Sequence, residues 1–345
     1  MLLSEIKITP IIDSIKLEDI SDEVYFSKKY KSYISNSRLS LINPEQGGSP
    51  EKFFNGKFDN FSDSLLFGSA CHQLVLQPER YFICQTIERP TAKAGFMADE
   101  LYHKDGLVPS DKEIIKASNK INYYKDKMDS NRIEDLKNKC YNYWRNRALF
   151  ESSYRGTKIP IYLDNKNKIR LNECLEALKK NTKIQELLKP ESFITPPKIG
   201  NEKTLLMNFK VEVPNKDSFI LKFKSKLDNY TVDFDLNKIT VNDLKTTGKT
   251  VNVFNDAILN YHYYREMAIY SYLLSIASNK FFNLKNPKIS SNFLVISTIP
   301  NYYTKVVPMT KQLFVKGFNE FKNLLRLVSY YLSSDTKLRN DFLGA

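Results

Sequence analysis

The alternation of apolar and polar positions is clearest between residues 204 and 247. In "SFILKFKSKLD", Phe219, Leu221, Phe223 and Leu227 fall on one side of an extended chain, which predicts a core face. Lys222, Lys224, Lys226 and Asp228 fall on the other side. "TLLMNFKVEV" before this stretch and "KITVNDLKTT" after it alternate as well, so the three together predict a meander of strands. In the third stretch Ile239, Val241, Asp243 and Lys245 share a face that Leu244 opposes. A short polar turn around residues 229–237 joins the last two stretches. As paired neighbours they set Asp228 beside Asp243.

Elsewhere the period lengthens. "DSLLFGSACHQLVLQ", residues 63–77, predicts a helix with Ser62 or Asp63 as N-cap and Pro78 just past its end. Residues 110–150 and 169–189 predict amphipathic helices whose solvated faces are rich in Lys, Asn and Tyr. A long helix is expected at about 253–277, a strand at 291–299, a short strand at 303–308 and a last helix at about 310–334. Residues 1–60 are polar and broken by "NPEQGGSP", which reads as a loop between short elements. This order predicts an α/β fold, a mixed central sheet flanked by helices. The organisation expected is a lead-in over 1–60 and one domain over 61–345, with a helical insertion at about 95–200.

Composition narrows the classes. The 345 residues are 42% apolar and 26% charged, as in soluble globular proteins. No apolar run approaches the roughly 20 residues that span a bilayer, and "MLLSEIKITP" lacks the apolar core of a secretory signal. A cytoplasmic setting with no membrane partner is therefore expected. The cysteines Cys71, Cys84, Cys140 and Cys174 are scattered without a CxxC pair, which argues against a zinc ribbon, an iron–sulfur cluster or a disulfide framework. A net charge of +13 favours an anionic partner, nucleic acid ahead of a membrane surface.

The chemistry centres on Asp228, Asp243 and Lys245. A D-x-K pair alone is commonly a surface salt bridge worth under ~1 kcal/mol. A second carboxylate on a matching face changes that, because two carboxylates a few ångströms apart are tolerated as anions mainly when a cation lies between them. Mg²⁺ suits such a site, being hard and held by one or two carboxylates with water and phosphate oxygens. A lysine on the same face could orient or deprotonate a water, or offset charge on a phosphoryl group. Those are the parts of metal-assisted phosphodiester hydrolysis. The lysines at 222, 224 and 226 suit phosphate neutralisation.

Asp228 followed by Asp243-Leu244-Lys245 resembles the signature of the PD-(D/E)xK nuclease superfamily. "DLKTT" followed by "YHYYREMAIY" is similar to its exodeoxyribonuclease VIII branch, the RecE-type phage and prophage exonucleases. "LLFGSACHQLVLQPERYF", residues 65–82, and "SRLSLINPEQGGSPEKFF", residues 37–54, resemble that branch's upstream segments. The likeness runs from about Ser37 to Tyr272 and is weak through the helical middle.

The resemblance implies a restriction-endonuclease-like core and a Mg²⁺-dependent exodeoxyribonuclease, with Mn²⁺ as substitute ion. It implies 5′-to-3′ digestion of double-stranded DNA ends for phage-type recombination, a single-strand annealing protein as partner, and a homo-oligomer. By position, His72, Asp228, Asp243 and the Leu244 carbonyl would hold the metal, and Lys245 would be the catalytic lysine. Tyr270 matches a family tyrosine, and Lys222, Lys224, Lys226 and Arg265 are the expected DNA contacts. Tyr261, Tyr263 and Tyr264 crowd the same helix, as base-stacking groups or as core filling.

Three positions depart from the pattern. Glu266 stands where the family carries glutamine, and "K-L-D" replaces "R-P-D". The glutamate that such nucleases place on the strand before the first aspartate falls near Asn208, with Glu212 as the nearest carboxylate. The rival readings are an endonuclease or repair nuclease of the same fold, and a catalytically decayed DNA-binding protein.

Overall fold

A computed structural model describes residues 2–56, 62–124, 128–190 and 194–344. The chain divides into two compact units, residues 1–57 with 178–345, and residues 58–177. The boundary expected at 60/61 lies outside the described residues.

The first 57 residues carry strand β1 (Lys7–Glu18), helix α1 (Asp22–Tyr25), strand β2 (Tyr33–Ile34), and helices α2 (Asn36–Ser40) and α3 (Pro50–Asn55). The twelve-residue strand β1 is not foreshadowed by the polar reading of this region. It is an edge strand, which explains both its charged composition and its Pro10, since an edge leaves backbone donors unpaired.

The second unit holds helix α4 (Asp63–Leu76), strand β3 (Tyr81–Ile83), helices α5 (Ala92–Glu100), α6 (Asp111–Ile121) and α7 (Ser130–Ser153), and strand β4 (Ile159–Ile161). Helix α8 (Asn165–Lys180) runs out of it. Ser62 caps α4, its side chain accepting from the Leu65 amide at 3.1 Å. Met97, Leu136, Tyr143 and Trp144 form this unit's core, and the Trp144 indole donates to the Ala98 carbonyl at 2.8 Å. Strands β3 and β4 pair in parallel. All four cysteines are buried free thiols.

The remainder of the first unit follows as helix α9 (Thr182–Leu188), strands β5 (Lys198–Glu212), β6 (Phe219–Asp233) and β7 (Lys238–Thr247), and helices α10 (Phe254–Asn260) and α11 (Tyr263–Phe282). Strands β8 (Lys288–Ser297) and β9 (Thr304–Pro308) and helices α12 (Lys311–Ser334) and α13 (Thr336–Leu343) complete it. The fold is mixed α/β. Its central sheet is mostly antiparallel, in the order β1-β5-β6-β7-β8-β9, with β2 added in parallel to β6. The predicted meander is present as β5, β6 and β7. Strand β8 returns parallel to β7 after the α10–α11 crossover.

Two boundaries differ from the sequence reading. Strand β6 continues through Tyr230 and Val232, both buried, so the turn is confined to residues 234–237. The helix expected from 253 is broken at His262, whose φ of 55° is left-handed. Burial of that imidazole, 2.8 Å from Glu320 of α12, holds the break in place.

The core of this unit places Leu205, Phe209, Leu221, Phe223 and Val241 of the sheet among Met267, Leu273, Phe321 and Val328 of α11 and α12. A row of asparagines pins the strand register. Asn229 donates to Asn201 at 2.7 Å, Asn242 to Asn229 at 2.8 Å, and Asn292 to Asn242 at 3.1 Å, so one ladder of amides crosses β5, β6, β7 and β8. Buried amides satisfied only in one register make a slip costly. The carboxylates described next stand one residue from this ladder.

Candidate active site

Strand register builds the site. Asn229 pairs with Asn242, which puts Asp228 of β6 opposite Asp243 of β7. Asn201 pairs with Asn229 and Lys203 with Leu227, which puts Glu202 of β5 opposite Asp228 on its other side. Three adjacent strands therefore align three acids. Glu202 has a left-handed backbone (φ 52°), a conformation costing ~1–3 kcal/mol for a side chain of its kind. Its carboxylate lies within 4.8 Å of that of Asp228.

Each acid has a distinct partner. Asp228 accepts the Leu244 amide at 2.8 Å, which fixes its carboxylate against the end of β7. Glu202 sits 2.9 Å from the Lys226 ammonium. Asp243 is 1% exposed. Its Oδ1 accepts from Lys245 at 3.0 Å. Its Oδ2 lies 2.9 Å from the same ammonium but off the direction of a hydrogen bond, and is left without one. Lys245 also donates to Glu266 of α11 at 3.0 Å, and Tyr270, one helical turn along, donates to the other Glu266 oxygen at 3.0 Å. The Lys245 ammonium is 4.8 Å from the centre of the Tyr263 ring.

Electrostatics follow from that crowding. Burial, opposed by Lys245 and reinforced by Asp228 and Glu266, holds the Asp243 carboxyl well above the usual carboxylate range. Burial would depress Lys245, but Asp243, Glu266 and Asp228 outweigh it and hold the ammonium well above its ordinary value. Both shifts express one imbalance. The negative charge gathered at the ends of β6 and β7 exceeds what Lys245 neutralises.

That imbalance suits a divalent ion. The donor set is hard oxygen, Asp243 Oδ2 is buried with no hydrogen bond, and Glu202 stands next to Asp228. Asp228, Asp243 and Glu202 are side chains that fit such an ion. The Leu244 carbonyl belongs to the same stretch of β7.

Several expected residues sit elsewhere. Glu212 is ten residues along β5 from Glu202, about 33 Å at strand rise, and is an exposed partner of Lys210 at 2.8 Å. The carboxylate that β5 sets opposite Asp228 is thus Glu202, not Glu212 or a group near Asn208. Hairpin register would have found it, because Val211 pairs with Phe219 and counting outward from that pair reaches Glu202 opposite Asp228.

Arg265, expected at DNA, is fully buried and donates to Glu320 at 2.7 Å, Ser40 at 2.6 Å and Asn36 at 2.8 Å. It ties α11 to α2 and α12. Lys224 is also buried, donating to the Tyr25 carbonyl at 2.6 Å, and Lys226 is held between Asp22 and Glu202. Lys222 is half-buried, paired in register with Tyr33 of β2. Tyr264 is buried and donates to Glu320 at 2.7 Å, whereas Tyr261 is exposed. His72 is half-buried on α4 of the second unit.

Comparisons with known proteins add little to this geometry. No protein-family profile matches the chain, and no curated protein does. Among solved structures the chain is similar to a "Putative exonuclease" from Eubacterium rectale, at 12% identity and a TM-score of 0.43, over 90% of this chain and 86% of that one. So distant a likeness leaves the functional reading to the site itself. No described helix is long and apolar enough to cross a membrane.

Proposed function

We propose that this protein is a metal-dependent deoxyribonuclease that hydrolyses phosphodiester bonds at the ends of duplex DNA, with Mg²⁺ as its ion and Mn²⁺ as a substitute. The observation that carries the reading is the alignment of Glu202, Asp228 and Asp243 on three neighbouring strands beside Lys245, with one buried Asp243 oxygen lacking a hydrogen bond. The net charge of +13 supports a polyanionic substrate.

Asp228 and Asp243 would hold the ion, with Glu202 beside them. When bound, it supplies polarisation of the phosphate and a more acidic water. Leu244 orients Asp228 through its amide. Lys245, kept an ammonium by the carboxylates around it, serves as hydrogen-bond donor and countercharge to the phosphoryl oxygens rather than as a base. Glu266, itself held by the Tyr270 hydroxyl, accepts from the same ammonium that Asp243 does. The 5′-to-3′ direction, a role in phage-type recombination, an annealing partner, a homo-oligomer and the metal role of His72 are parts of the proposal that rest on the resemblance.

The test uses linear duplex DNA and covalently closed circles, each with Mg²⁺, for the native chain and Asp243→Asn. Loss of the linear substrate alone, abolished in the variant, is the expected result. Nicking of the circles would make it an endonuclease. Salt-sensitive binding with no cleavage of either substrate would make it a DNA-binding protein on a nuclease-like site.

A further inference from the structure

Lys224 and Lys226, which the sequence offers as phosphate contacts, hold a segment of the chain's own beginning instead. Asp19 meets Lys203 at 3.0 Å, Asp22 meets Lys226 at 2.5 Å, and the Tyr25 carbonyl accepts from Lys224 at 2.6 Å. The Tyr25 and Tyr30 rings close over the Lys224 ammonium, 4.1 and 5.7 Å from it. Three sheet cations thus strap residues 19–30 down at intervals of three residues. Within the strap, burial and then the charge of Glu266 shift the Tyr25 phenol upward.

The strap's outer surface carries the exposed charge that Lys224 and Lys226 do not. Lys28, Lys29 and Lys31 are exposed, and Phe26 is 76% exposed. Lys28 and Lys31 open into a cleft of about 410 Å³ whose other walls include Arg38, Phe54, Phe342 and Asp341. Arg38 is part of the wall. Its guanidinium lies 5.0 Å from the Phe53 ring and 4.5 Å from the Phe342 ring, and it donates to the Lys31 carbonyl at 2.6 Å. Phe342 stacks on Phe53 and meets Phe54 edge-on, so the apolar wall is packed in place.

We infer that this cleft is a binding site for single-stranded DNA, taking one base against Phe54, which Phe342 backs edge-on, and its phosphate on Lys28 and Lys31. Flexible exposed cations beside an aromatic wall are the two elements of sequence-tolerant single-strand binding. A duplex ~20 Å wide does not enter a space of this size. Asp341, also in the wall, disfavours a second phosphate there. The binding claim stands on the cleft alone. Only the identification of that strand as the one leaving the catalytic centre rests on the nuclease reading.

The experiment measures anisotropy of a fluorescein-labelled oligothymidylate across a salt series, with full-length protein carrying Asp243→Asn so that cleavage cannot intervene. Lys28→Glu with Lys31→Glu is expected to weaken binding at least tenfold. It should also flatten the salt dependence by about 0.7, the contribution of one phosphate. Phe54→Leu keeps an apolar side chain of similar size and removes the π face. It should weaken binding about fivefold or more with the salt slope unchanged. Circular dichroism confirms that each variant folds. Unchanged affinity and slope in the double variant would overturn the assignment, as would a blunt duplex losing as much affinity as the oligothymidylate. Failure of the native chain to cut DNA would defeat the nuclease reading and leave this result standing.

Discussion

Removing the Lys245 ammonium probes the charge imbalance most sharply. In Lys245→Ala, Asp243 keeps its burial and loses the cation at 2.9–3.0 Å, while Asp228 and Glu266 remain as like charges. Breaking a buried ion pair from one side typically destabilises by about 3–5 kcal/mol. Lys245 and Glu266 retain 16% and 21% of their exposure, so the lower end, about 3 kcal/mol, applies here. For a folding unit of this size that is a fall in Tm of about 6–12 °C. A divalent ion should reverse it. The variant site carries one more uncompensated negative charge than the native one, so Mg²⁺ or Mn²⁺ should raise its Tm by more than that of the native protein. Differential scanning fluorimetry with EDTA and with a Mn²⁺ series reads both quantities. A variant as stable as the native chain in EDTA, or one that gains no more from Mn²⁺, would refute the reasoning.

Other outcomes follow from the same geometry. Without metal, the raised Asp243 carboxyl contributes stability that is fully present below the unfolded value near ~4. That contribution is lost as pH rises through the folded value. Asp243→Asn should lack this slope in Tm against pH, and an unchanged slope would exclude Asp243 as its source. Glu266→Gln removes one of the carboxylates that raise Lys245, so the alkaline limb of the pH–rate profile should move to lower pH; a limb that stays put or moves upward would contradict the ammonium role. Asn229→Ala breaks two ladder bonds at an almost fully buried position and should cost about 2–3 kcal/mol in urea unfolding. A loss below ~0.5 kcal/mol would mean the ladder does not pin the register.

Much of the sheet was legible because each strand of the meander alternates, and parity alone put Asp243 and Lys245 on one face of β7. Edge strand β1 was not, because an edge needs no apolar alternation and tolerates Pro10. The break at His262 was hidden because its cause, Glu320, lies fifty-eight residues away. Glu202 escaped for another reason. Its place opposite Asp228 depends on the register of the β5–β6 hairpin, which a count of family spacings toward Asn208 does not contain. Lys224 and Lys226 show the limit of parity. It told which side of β6 they leave from, and not that residues 19–30 would cover them.

The central claim is that Asp228 and Asp243 form a divalent-cation site in which Lys245 is the resident countercharge. Anomalous diffraction from crystals soaked in Mn²⁺ tests it directly. A peak is expected in contact with both carboxylates, with Lys245 withdrawn toward Glu266. No peak there at saturating Mn²⁺, with the ammonium still on Asp243, would contradict it.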